Sequence, residues 1–282
     1  MKLKDKGWLS GGHNNWFDIS LDGPQFQLKI NWPAEHLYTD FTQAADEAAQ
    51  LLNQKWGDRP IYVALSGGLD SEYAAETLRR NNIPFTPIIV KIDNLNAIES
   101  WYAEYWCHRN GITPTVLNYS IDSYVEQVKL KWPQLTAVKN RYVTTVLICY
   151  EHAAANGGCC IYAAGDINLD SDRKEFFCKS LDFVSNIVNP GQHPTSFFMY
   201  TPELALSYVN QFDMNLSEQY NKLNFYGLAA RPKIDYLPRI AQTQAYINLI
   251  SNLNYLYRFE DQPWDATHWY GTKEQLMQDL QT

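Results

Sequence analysis

Between residues 61 and 164 short apolar runs alternate with longer stretches of helical period. Ile61-Tyr62-Val63-Ala64-Leu65 is apolar throughout, as a strand buried on both faces requires. Residues 70–80 then read as a helix, closed by Asn81-Asn82-Ile83-Pro84. A second strand is predicted over 85–92, and a helix over 96–109 that Asn110-Gly111 ends. A third strand over 115–119, helices over 121–131 and 137–155, and a fourth strand over 160–164 complete the series. Such alternation predicts an α/β fold: a mostly parallel sheet with helices on both faces. Ligands of these sheets bind beyond the carboxyl ends of the strands. Two loops fall there, 66–71 after the first strand and 165–174 after the fourth.

The flanks have other patterns. In residues 1–57, short strands are predicted over 16–20 and 25–30, with Leu21-Asp22-Gly23-Pro24 as the turn between them. An Ala-rich helix over 39–54 follows, and Gly57-Asp58-Arg59-Pro60 breaks it. From Asn189 onward the chain reads as helical, with 201–210 and 240–253 the clearest segments. Pro190, Pro194 and Pro202 suggest a hinge. Three units are therefore expected: a short β-containing extension over 1–57, the sheet domain over 58–188, and a helical region over 189–282 that covers the substrate side. Tyr255, Tyr257, Trp264, Trp269 and Tyr270 fit either core packing or the lining of a pocket.

Loop 66–71 carries the chemistry. Ser66-Gly67-Gly68-Leu69-Asp70-Ser71 leaves a strand and opens a helix, whose amino end offers unpaired N–H groups and about half a positive charge. Two glycines let the backbone approach an anion and adopt positive φ. Ser66 and Ser71 add hydroxyl donors. Asp70 suits an anion site only through a cation that bridges it to the phosphates. The Walker pattern G-x-x-x-x-G-K-S/T is absent. On composition alone, Gly-Gly after a strand is as well explained by a tight turn, with Ser and Asp as helix caps.

The run Ala64-Leu65-Ser66-Gly67-Gly68-Leu69-Asp70-Ser71 resembles the SGGxDS loop of the PP-loop ATP pyrophosphatases, and among them the synthase domain of asparagine synthetases. The resemblance spans roughly residues 60–170, with Gly157-Gly158 ahead of the fourth strand and Gly165-Asp166-Ile167-Asn168-Leu169-Asp170 beyond it. It implies the adenine nucleotide α-hydrolase fold, a five-stranded parallel sheet with helices on both faces, with ATP and Mg2+ as cofactors. Adenine would rest on backbone near Leu65 and Val90, pyrophosphate in loop 66–71, and magnesium between Asp70, Asp166 and the phosphates, with Asp170 as the next acidic candidate. Gly165 would line the same site. Thr201-Pro202-Glu203-Leu204 is similar to the segment that follows the ATP site in asparagine synthetases. Lys222 or Lys233 would then meet the α-phosphate as negative charge builds there, with Arg173-Lys174 as rivals.

Charge and cysteine content narrow the substrate. The net charge is −8, which weighs against a tRNA backbone as partner. The five cysteines, Cys107, Cys149, Cys159, Cys160 and Cys178, include no C-x-x-C pair, so no zinc or iron–sulfur site is expected. They read as buried thiols of a reducing compartment. Cys159 and Cys160 start their strand, away from the loops, and Cys107-His108 point to different faces of a helix. Nothing approaches the roughly 18 apolar residues of a membrane span, and MKLKDKGWLSGG lacks the apolar run of a signal peptide, so a cytoplasmic protein is expected. Position 2 is Lys, where the glutaminase of asparagine synthetases has its nucleophilic cysteine. The reading is an AMP-forming ligase for a small carboxylate or carbonyl substrate, taking nitrogen from ammonia, an amine or a separate donor protein. Rival readings are tRNA or nucleobase modification, sulfonucleotide reduction, and nucleotide binding without catalysis.

Overall fold

The structure is a computed structural model, and it describes residues 9–11, 28–30, 35–93, 96–131, 141–163, 167–170, 175–179, 195–216, 218–226 and 267–271. Its centre is a five-stranded sheet of β3 (Ile61–Ala64), β4 (Thr86–Ile92), β5 (Thr115–Tyr119), β6 (Cys159–Tyr162) and β9 (Thr195–Ser196). The spatial order is β5-β4-β3-β6-β9, and every neighbouring pair is parallel. The chain thus starts in the middle at β3, steps outward through β4 to β5, then returns to the other side of β3. The order reverses between β3 and β6, and that reversal opens a crevice at their carboxyl ends.

The connecting helices follow from right-handed crossovers. α2 (Leu69–Arg80) and α3 (Ala97–Arg109) join strands that step one way, so they share a face of the sheet. α4 (Ile121–Lys131) and α5 (Arg141–Ala155) make the return, and α5 packs against β3, β4 and β6 from the other face. Alternation along β3 sorts its side chains accordingly: Ile61 and Val63 enter the main core, while Tyr62 meets His152 of α5 edge-on at 5.8 Å.

α1 (Phe41–Trp56) is started by Asp40, whose carboxylate accepts from the Thr42 N–H at 2.8 Å. It buries Phe41, Ala44, Ala45, Ala48, Ala49, Leu51 and Leu52, a stripe at i, i+3, i+4 spacing whose alanines allow close approach. α6 (Pro202–Gln211) packs on α1, started by Thr201 with Pro202 in its first turn. α7 (Glu218–Phe225) packs on α2. Residues on either side of the sheet segment therefore share one core with it: Phe41, Ile61, Tyr73, Phe197, Leu204 and Tyr226 belong to a single buried cluster.

Several expectations change. The extension pairs β1 (Leu9–Gly11) with β2 (Leu28–Ile30), antiparallel, Leu9 opposite Ile30; 16–20 and the expected turn lie outside the described residues. Loop 165–174 was expected to be irregular, but Ile167–Asp170 is a strand, β7. Its Ile-Asn-Leu-Asp sequence alternates with period 2, a signal its acidic and amide residues obscure. β7 pairs with β8 (Glu175–Lys179), and β8 with β10 (Thr267–Gly271), in a separate antiparallel sheet. β9 and β10 both lie in the stretch expected to be helical. The predicted helix over 240–253 lies outside the described residues.

Candidate functional site

Loop 66–71 sits at the crevice where the strand order reverses. Leu65 extends the ladder by one bond, its N–H donating to the Ile88 carbonyl at 2.9 Å. The chain then turns at Gly67, whose φ of +81° suits glycine. A second constraint is steric: a Cβ at Gly67 would lie 2.0 Å from the Glu99 carbonyl oxygen of α3. Gly68 caps α2 in an extended conformation, without a side-chain hydrogen bond. The amino end of α2 thus lacks the side-chain cap that Asp40 gives α1 and Thr201 gives α6.

The two serines brace the loop. The Ser71 hydroxyl accepts from the Ser66 N–H at 3.2 Å and donates to the Gly68 carbonyl at 3.0 Å. The Ser66 hydroxyl accepts from the Gly68 N–H at 3.2 Å and lies 3.1 Å from the Ser71 hydroxyl. Ser71 is buried and Ser66 is exposed, so in this conformation only Ser66 is at the surface.

Asp70 draws the distant part of the chain to the loop. Lys222 Nζ donates to its Oδ2 at 3.0 Å, across 152 residues of sequence. The Tyr226 hydroxyl donates to Oδ1 at 2.5 Å. Lys222 and Asp70 are 12% and 21% exposed, a pair shielded enough for its attraction to exceed that of a surface salt bridge. Tyr226 is buried, its ring stacked on Tyr73 at 4.4 Å and 17°. Burial, and then the charge of Asp70, push its phenol well above the usual tyrosine range, so it stays a donor. Sequence reasoning named Asp70 and Lys222 but missed Tyr226. The signal was there: Lys222 and Tyr226 are four residues apart, hence on one helical face.

The other expected site residues divide. Leu65 and Val90 are buried on adjacent strands at the carboxyl edge of the sheet. The Val90 carbonyl accepts from Asn96 Nδ2 at 2.7 Å, and the Ile92 N–H donates to Asn96 Oδ1 at 2.9 Å. The Asn96 carboxamide therefore braces the backbone expected to carry adenine. Gly165, Asp166, Arg173, Lys174 and Lys233 lie outside the described residues, as do Tyr255, Tyr257 and Trp264. Asp170, Trp269 and Tyr270 are placed in β7 and β10. Among the described residues no group of three or more His, Cys, Asp or Glu side chains could by itself hold a metal, and no helix is long and apolar enough to cross a membrane.

A cavity of about 530 Å³ lies beside the site, not at it. Tyr73 and Tyr226 line it together with Asp40, Thr42, Arg80 and Gln211. Arg80 ends α2, roughly 15 Å along the helix from Asp70 at 1.5 Å per residue. The cavity thus runs along α2, away from the strand ends.

Cys159 and Cys160 begin β6, at the end of the sheet opposite the loop, and Cys107, Cys149, Cys159 and Cys160 are all buried free thiols. Cys107 is buried and His108 exposed, as expected of neighbours on a helix. Burial pushes Cys107 and Cys149 up to about 12 and Cys159 up to about 11. With Cys178 replaced by serine, the native protein is expected to resist iodoacetamide at pH 8 and to take up label only on unfolding. Rapid labelling of a folded thiol, seen by mass spectrometry, would refute this. The unfolded thiols ionise near pH 9 and the folded ones near pH 11–12, so stability should hold below about pH 9 and fall across that window.

No family model matches the sequence, and no curated protein matches it. Solved structures give low-identity similarities. An NH3-dependent NAD synthetase from Campylobacter jejuni aligns at 13% identity, over 79% of this chain and 98% of that one, with a TM-score of 0.35. An NMN synthetase from Francisella tularensis aligns at 14% identity, over 79% and 98%, with a TM-score of 0.36. A U34-tRNA thiolase from Methanococcus maripaludis, solved with its iron–sulfur cluster, aligns at 15% identity, over 75% and 80%, with a TM-score of 0.35.

Proposed function

We propose that this chain is an ATP-dependent adenylating enzyme, cleaving ATP to AMP and pyrophosphate to activate a small carboxylate or carbonyl substrate for amide or C–N bond formation. The observation that carries the reading is the meeting of Lys222 and Asp70 at the uncapped amino end of α2, in the crevice where the strand order reverses. A glycine-shaped helix terminus and an ammonium group from a remote segment make an anion site, and its position suits a polyphosphate. The SGGxDS resemblance at this loop supports ATP as that polyphosphate.

Pyrophosphate would lie against the backbone of Gly67, Gly68 and Leu69, with Lys222 beside the α-phosphate. An oxygen of the substrate attacks the α-phosphorus. The bond to the bridging oxygen breaks, and its electron pair leaves with pyrophosphate. Ammonia or an amine then attacks the activated carbon, AMP departs with the C–O electrons, and the nitrogen loses a proton. The chain acts by positioning these groups and by neutralising charge as it builds. Magnesium fits in one respect: beside phosphates it needs only one or two carboxylates, and Asp70 offers one, once Lys222 or Tyr226 yields an oxygen. Asp166 is the second carboxylate proposed for it. When bound, the ion would offset phosphate charge.

A pyrophosphate-release screen tests the reading. Candidate acids with ammonium or amines are compared with a panel of tRNAs. Release is expected with an acid and a nitrogen source. Stimulation by tRNA alone would replace the small-molecule reading with nucleic-acid modification. ATP binding without release under any condition would leave a nucleotide-binding protein.

A further inference from the structure

We propose that Tyr226 is a positioning residue for the anion site, acting through Asp70: its hydroxyl holds the carboxylate on Lys222 and off the amino end of α2. The inference rests on reading loop 66–71 as a polyphosphate site. Asp70 is the second residue of α2, where a carboxylate readily turns back onto the first N–H groups of its own helix. Asp40, from the cap position just ahead of α1, shows a carboxylate taking such a donor, the Thr42 N–H at 2.8 Å. An Asp70 that did the same would occupy the donors the anion needs and set a negative charge against it.

The geometry shows what prevents this. Both carboxylate oxygens are claimed from the α7 side, Oδ2 by Lys222 at 3.0 Å and Oδ1 by Tyr226 at 2.5 Å. The tyrosine end is fixed. Its ring is buried, stacked on Tyr73 at 4.4 Å and on Phe198 at 5.8 Å, and packed against Phe41 at 6.0 Å. Lys222 and Tyr226 are also tied by one backbone bond, the Tyr226 N–H donating to the Lys222 carbonyl at 2.9 Å. One helical turn thus delivers a rigid donor and a cation together. The rigid donor sets the carboxylate, and the carboxylate sets the ammonium.

Tyr226→Phe removes the hydroxyl and keeps the ring stack, so the variant should fold. The probe is inorganic pyrophosphate, titrated calorimetrically into the full chain in magnesium-free buffer. Tyr226→Phe is expected to weaken binding about fivefold. In an Asp70→Ala background, where there is no carboxylate to hold, the same change is expected to alter affinity by less than about 1.5-fold. An equal loss in both backgrounds would mean that the tyrosine acts by packing, and would overturn the proposal while leaving the anion site standing. Failure of the unaltered chain to bind pyrophosphate would instead remove the anion site, and this inference with it.

Discussion

Gly67→Ala should be among the most damaging single substitutions in the sheet domain, because it meets two barriers at once. A non-glycine residue at φ +81° costs about 1–2 kcal/mol. The added methyl would also lie 2.0 Å from the Glu99 carbonyl, a backbone atom that moves only if α3 moves. Overpacking of that kind costs roughly 1–3 kcal/mol more. Together these imply a fall in unfolding midpoint on the order of 4–20 °C, at about 2–4 °C per kcal/mol for a chain of this size. Gly111→Ala and Gly157→Ala serve as controls. Both glycines have positive φ, +65° and +70°, and neither has an atom within 4 Å of the added carbon. They should show the backbone term alone. Thermal unfolding followed by circular dichroism, with pyrophosphate binding measured in parallel, separates the two terms. A Gly67→Ala protein as stable as Gly111→Ala would mean that α3 does not press on the loop.

The same contact shows which parts of the site were legible in the sequence. Strand, Gly-Gly and helix could be read because each leaves a local signal: a continuous apolar run over 61–65, two residues without side chains, and a helical period after them. That Glu99 backs the turn left no signal, since the contact sets the loop against α3 through backbone. The serines were legible as hydroxyls beside the loop, but their bracing of Ser66 to Ser71 depends on how tightly the turn closes. β9 had nothing to announce it. Thr195-Ser196 is too short for any period, and the sheet recruits it by pairing it with Ile161 and Tyr162.

Long-range choice is the harder limit. From sequence, Lys222 and Lys233 were equivalent candidates, because nothing local says which reaches a loop some 150 residues earlier. Packing brings Lys222 there, while Lys233 lies outside the described residues. Phe41, Tyr73, Phe198 and Tyr226 form one aromatic cluster, and that cluster docks the end of α7 beside α2. Phe41 opens α1 and Phe198 follows β9, so three remote segments fix where one lysine arrives. A buried aromatic cluster thus sets which charged group stands beside the loop.

Asp70→Asn should abolish most pyrophosphate release while leaving the fold intact. The carboxamide still offers one oxygen to the Tyr226 hydroxyl, so the buried phenol need not be orphaned. What is lost is the negative charge that holds Lys222, in a pair only 12% and 21% exposed. Removing one group that stabilises charge in a transition state lowers rate by about 10²–10³, or roughly 3–4 kcal/mol. Lys222→Ala should fall in the same range, and where the ion pair persists through the reaction the double variant should be little worse than either single one. Circular dichroism of Asp70→Asn should match the parent, because Tyr73 and Phe198 still seat the Tyr226 ring. Wild-type turnover in Asp70→Asn would eliminate Asp70 from the chemistry. Losses that multiply in the double variant would show that Asp70 and Lys222 work separately, as they would if the carboxylate served the phosphates through a bound cation and the lysine served them directly. The relation between the two losses therefore tells whether the ion pair persists through the reaction or ends when ATP binds.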